Sequence, residues 1–86
     1  MEPNKVILYP LMGEKATLLR EKSNVLTFIV DKKATKKDVK EAVETLYKIT
    51  IQEINVMVTS EGLKKAHVRL SPKDSAEEVA SHFGII

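Results

Sequence analysis

The chain has 86 residues, 43% of them apolar and 30% charged, with a net charge of +2 at pH 7; this balance predicts one soluble globular domain over residues 1–86, near the size at which a single core just suffices. It contains no cysteine, which excludes a disulfide framework, a thiolate metal site and a cysteine nucleophile. The longest apolar run is 4 residues, far short of the roughly 20 needed to span a bilayer. Glu2, Pro3, Asn4 and Lys5 interrupt any basic-then-apolar leader, so the expectation is a cytoplasmic protein with no signal peptide and no membrane span.

Val6, Ile7, Leu8 and Tyr9 form a short β-prone run stopped by Pro10, as in a brief edge strand. Gly13 to about Glu21 then predicts a short helix: Gly13 serves as the cap, Glu14 sits where the helix dipole favours negative charge, and Met12, Ala16 and Leu19 make a thin apolar stripe. Ser23-Asn24 reads as a turn. Val25–Asp31 reads as a strand whose two faces, Leu26/Phe28/Val30 and Val25/Thr27/Ile29, are both rather apolar, so it belongs inside the sheet and is covered on both sides. The pattern that follows is the strongest in the chain. Thr35 and Asp38 have the spacing of a reciprocal cap, and Val39, Ala42, Val43, Leu46 and Tyr47 line one face of a helix over about 35–48.

A hairpin follows, over about 49–58 and 63–70. Ile49 and Ile51 occupy one parity and Ile54, Val56 and Val58 the other, which predicts a bulge near Gln52-Glu53. Thr59–Gly62 forms the turn, with Gly62 free to take positive φ. Ser71–Asp74 leads to a last helix in which Ser75 and Glu78 are the cap pair, Ala76, Val79, Ala80 and Phe83 the stripe, and Gly84 the stop. The order β-α-β-α-β-β-α predicts an α+β fold: a small antiparallel sheet of about four strands with helices packed on it.

Little in the chain suggests catalysis. His67 and His82 lie on different elements and form no triad order or helical ligand pair. The 3 glycines build no phosphate loop, and with only Arg20 and Arg69 there is no arginine clamp of the kind small phosphate-ester hydrolases use. We therefore expect neither an enzyme nor a cofactor. Binding is better supported. Ile54, Val56, Val58, Ala66, Val68 and Leu70 give the hairpin one apolar face; the other carries Asn55, Met57 and Thr59 beside Lys65, His67 and Arg69. Cations neutralise phosphates while amide and hydroxyl groups reach sugars and base edges. A polar solvent face of an open sheet would have the same composition. Lysines also cluster at Lys32, Lys33, Lys36, Lys37 and Lys40; Lys36 and Lys37 fall in a first helical turn, where the dipole disfavours cations and an external anion would relieve them. With few exposed aromatics, recognition of folded RNA by shape and phosphate contact fits better than base stacking on a platform.

Four stretches in order resemble the archaeal form of the large-subunit ribosomal protein family numbered twenty-three. They are Pro10–Ala16; Ala34-Thr35-Lys36 with Val39, Lys40, Ala42 and Val43; Ile54-Asn55-Val56 with Gly62, Lys64, Lys65, Ala66 and Val68; and Ala76, Val79, Ala80 with Gly84-Ile85. Two departures stand out: Gly13 replaces the usual Ser or Thr, and the Thr59–Gly62 turn lacks the long hairpin extension of bacterial members. The resemblance implies a structural protein that binds large-subunit rRNA at the rim of the polypeptide exit tunnel. It also implies a place beside the protein numbered twenty-nine, and help in docking nascent-chain factors such as the signal recognition particle. By position it implies rRNA contacts at Lys15, Asn55, Lys64 and Lys65, and factor docking at Glu14. Strand parity adds His67 and Arg69, and the helix start adds Lys36 and Lys37. The alternative is a small α+β protein-interaction or ligand-sensing module, whose polar sheet face would be ordinary surface.

Overall fold

A computed structural model describes residues 1–82. Its elements are α1 (Pro3–Val6), β1 (Ile7–Pro10), α2 (Glu14–Ser23), β2 (Val25–Val30), α3 (Lys36–Tyr47), β3 (Ile51–Val58), β4 (Lys64–Leu70) and α4 (Ala76–Ser81). The α+β class and the expected order are borne out, with one helical turn, α1, added ahead of β1. Proline at its first position suits a helix start, and the turn drops Val6 into the core instead of into the strand. The four strands form one antiparallel sheet in the order β1-β2-β4-β3.

That order makes β2 interior, and every one of its residues is buried. Leu26, Phe28 and Val30 join Ala66, Val68, Leu70, Ile51 and Ile54 in the main core, roofed by Val6, by Val39, Ala42 and Val43 of α3, and by Ala76, Val79 and Ala80 of α4. On the opposite face α2 covers β2, burying Val25, Thr27 and Ile29. The expected bulge is present. Ile51 pairs with Leu70 but Glu53 pairs with Arg69, so Gln52 is the extra residue and both Ile51 and Ile54 reach the core. A second bulge, between Ile7 and Tyr9, was not legible beforehand. Both bulges lie in edge strands, where they discourage edge-to-edge pairing.

The helix signals act as read. Thr35 Oγ1 accepts from the Asp38 amide at 3.1 Å and Asp38 Oδ2 accepts from the Thr35 amide at 3.0 Å. These bonds, and the Met1 ammonium 3.4 Å away, hold the Asp38 carboxyl below its ordinary pKa. Ser75 Oγ accepts from the Glu78 amide at 3.2 Å. Gly62 takes φ +83° in the hairpin turn.

Two apolar expectations fail. Leu46 is 43% exposed, because Tyr47 closes the last turn of α3 by stacking on Phe28 with ring centroids 5.9 Å apart. Val58 is 70% exposed, because the hairpin tip runs past the end of the core. Phe83, Gly84 and Ile85, assigned above to the last helix and its stop, lie outside the described residues. No helix of the described residues is long and apolar enough to cross a membrane.

Candidate nucleic-acid interface

Antiparallel pairing with no bulge between β2 and β4 sets the outer sheet face in rows. Thr27, His67 and Asn55 form one row; Ile29, Lys65 and Met57 form another, which Tyr9 extends on β1; Val25, Arg69 and Glu53 form the third. Since successive residues of a strand alternate in direction, Lys65, His67 and Arg69 all point away from the core, as their parity predicts. Helix α2 crosses only the β2 side of this face, leaving β4 and β3 open. Lys15 reaches in from α2 and lines two adjoining hollows. One, of about 250 Å³, is walled by Leu11, Ala16, Leu19, Thr27, Lys65 and His67. The other, of about 480 Å³, runs over Asn55, Met57, His67 and Arg69.

Five of the anticipated residues (Lys15, Asn55, Lys65, His67 and Arg69) are thus brought together. Among the described residues neither Lys15 nor Lys65 has a carboxylate within ion-pair distance. Arg69 lies 3.6 Å from Glu53, but both side chains are about half exposed, so the pair contributes little and exchanges readily for another anion. Burial, then the charges of Lys65 and Lys15, push the His67 pKa below its ordinary value, keeping the ring neutral near pH 7. Its Nδ1 lies 3.2 Å from Thr27 Oγ1.

Of the other anticipated residues, Lys64, Lys36 and Lys37 sit elsewhere, whereas Glu14 adjoins the site. Lys64 has the opposite parity, and its Nζ donates to the Ala34 carbonyl at 2.5 Å, bracing the loop ahead of α3. Lys36 and Lys37, with Lys40, line a separate cleft of about 440 Å³ between α3 and the edge strand β3, facing Gln52 and Glu53. Glu14 is exposed at the start of α2 and lines the same hollow as Lys15 and Lys65. His82 lines a groove with Tyr47 and Lys73, so the two histidines do not meet. Among the described residues no group of three or more His, Cys, Asp or Glu side chains is placed to hold a metal ion.

Sequence reasoning missed several supports of the site. Thr27 read only as a strand residue; its partner lies on another strand, and no local pattern links the two. Arg20 is buried, donating through Nε to Glu77 Oε1 at 2.6 Å and packing against Met12. Asn24, which takes the left-handed φ of +57° that ends α2, donates through Nδ2 to the Asp74 carbonyl at 2.9 Å and accepts from the Ala76 amide at 2.8 Å through Oδ1. These contacts tie both ends of the α2–α4 contact, and α2 in turn places Lys15. The turn signal at Ser23-Asn24 was readable; the bonds across to α4 were not.

Comparison with known proteins converges on one family. The model of ribosomal protein L23 matches residues 5–69, which takes in the whole outer face and both hollows. The large ribosomal subunit protein uL23 of Methanococcus aeolicus is 42% identical over 85 residues, covering 99% of each chain. With more than half of the chain matched by the family model, and a relative matched from end to end, the chain belongs to the ribosomal protein L23 family of structural, non-enzymatic components of the large ribosomal subunit.

Proposed function

We propose that this protein binds large-subunit rRNA through the sheet face bearing Lys15, Asn55, Lys65, His67 and Arg69, beside the polypeptide exit tunnel. The observation that carries this reading is the meeting of Lys15 and Lys65, from different elements, over one groove without carboxylate partners among the described residues. Two ammonium groups and a guanidinium on one open face repel one another, and phosphates relieve that repulsion while releasing counterions. Asn55 and His67, in register between them, add hydrogen bonds that orient the RNA. Lys36 and Lys37 form a second contact on the far side of β3, whereas Lys64, held by Ala34, is structural.

Protein neighbours use the margins of this same face in this reading. Met57 and Val58, both exposed near the tip of an edge strand, suit an apolar contact with the large-subunit protein numbered twenty-nine. Glu14 is the contact for a nascent-chain factor such as the signal recognition particle. The test is sucrose-gradient sedimentation of the endogenous protein before and after a high-salt wash, paired with affinity for large-subunit rRNA as salt rises. We expect stoichiometric presence in the large-subunit peak through the wash, and affinity that falls by orders of magnitude between low and moderate salt. Protein at the top of the gradient with no salt-dependent RNA affinity overturns the proposal and favours a protein-interaction module.

A further inference from the structure

The smaller hollow between α2 and the sheet does not look like a phosphate site. Its walls are chiefly apolar, from Leu11, Ala16 and Leu19, and its polar groups are confined to the Thr27–His67 pair and the lysines and Glu14 at its margin. At about 250 Å³ it falls just below the roughly 300–1,000 Å³ that hold drug-sized ligands, the scale of a single nucleobase. An apolar slot with one or two oriented polar groups is how proteins take up an unstacked base.

The Thr27–His67 contact decides what the slot offers. Thr27 is 4% exposed, and His67 Nδ1 is the one hydrogen-bond partner of its hydroxyl among the described residues. If Nδ1 carried the proton, the threonine hydroxyl hydrogen would be buried without an acceptor among the described residues, which is unfavourable. The satisfied arrangement has Thr27 donating to an unprotonated Nδ1. That places the imidazole proton on Nε2 and leaves the ring a neutral donor at neutral pH, consistent with its lowered pKa.

We propose that this hollow is a nucleotide pocket: it takes one unstacked RNA base, with the Nε2–H of His67 donating to a carbonyl oxygen or ring nitrogen on the base edge, while Lys15 and Lys65 hold the flanking phosphates. Thr27 is a positioning residue that fixes the tautomer. The inference rests on the rRNA reading above but goes further, since phosphate contacts alone need neither apolar walls nor a fixed tautomer.

Glutamine places an amide N–H near the position of Nε2, whereas asparagine reaches only the Nδ1 position, so the pair His67→Gln and His67→Asn separates donor loss from general perturbation. We expect His67→Asn to weaken binding to large-subunit rRNA roughly five- to ten-fold, the worth of one hydrogen bond, at an unchanged salt slope, and His67→Gln to restore most of that loss. In the free protein, long-range ¹H–¹⁵N correlation of the imidazole should report the Nε2–H tautomer, which Thr27→Val should unlock. Titration with nucleoside 5′-monophosphates should shift Leu11, Ala16 and Leu19 signals, and ribose 5-phosphate should not. Equal binding by wild type and both His67 variants, or nucleotide shifts confined to lysines, overturns the pocket while leaving the rRNA face standing. Absence of salt-dependent rRNA binding by the wild type overturns both readings.

Discussion

Lys64 and Lys65 are neighbours with the same side chain, yet their opposite parity on β4 predicts opposite phenotypes. The Lys65 ammonium stands on the open face over the groove it shares with Lys15; Lys64 Nζ donates to the Ala34 carbonyl at 2.5 Å. A hydrogen bond from a charged donor contributes about 1.5–3 kcal/mol when well shielded. Because Lys64 is only half-buried, solvent screening brings the expected loss in Lys64→Met to about 1 kcal/mol. With a urea slope of about 1–2 kcal/mol/M, the unfolding midpoint should fall by roughly 0.5–1 M. Its rRNA affinity should stay within about two-fold of wild type, because no phosphate contact is lost. Lys65→Gln should leave the urea midpoint nearly unmoved, weaken rRNA binding across sequences, and make the slope of log affinity against log salt shallower by about 0.7–1. Both variants need only urea melts followed by circular dichroism and filter binding at several salt concentrations. Exchanged phenotypes, with Lys64→Met flattening the salt slope and Lys65→Gln unfolding early, would refute the assignment of faces.

Three further outcomes follow from the supports of the site. Asn24→Ala loses two short hydrogen bonds and places alanine in left-handed backbone, for about 2–4 kcal/mol in all; Asn24→Gly keeps the backbone freedom and should recover about 1 kcal/mol in a urea melt. Glu77→Ala strands the buried Arg20 guanidinium, but Glu77 is 50% exposed, so the loss should be about 1–2 kcal/mol, and Arg20→Met in the same background should recover part of it by thermal melt. The folded-state pKa of Asp38 is depressed, so the cap contributes stability above the unfolded value of about 4 and loses it as pH falls through the lower folded value. The gap in Tm between wild type and Asp38→Ala should therefore be open at neutral pH and close toward acid; a gap that widens on acidification would contradict the capping assignment.

What the residues determine by themselves is local and periodic. The Thr35–Asp38 cap, the Val39–Val43 stripe, the glycine turn at Gly62, the two-sided burial of Val25–Val30 and the bulge at Gln52 were all legible, because each is set by backbone geometry or by a repeat of 2 or 3.6 residues. Strand parity alone put Lys65, His67 and Arg69 on one face; Lys64, expected by resemblance as an rRNA contact beside Lys65, is set apart only in the folded sheet, where its ammonium braces Ala34. The folded structure decided what meets across the chain. It laid α2 on the outer face, so that Lys15 joins Lys65 and a hollow forms beneath it. It also gave Thr27 to His67, Asn24 to Asp74 and Ala76, Arg20 to Glu77, and the Lys64 ammonium to Ala34. Each of these pairs joins residues far apart in sequence, and each depends on sheet order and helix placement, which are fixed by which apolar surfaces cover one another. A single polar residue carries no mark of the partner that such packing will bring to it.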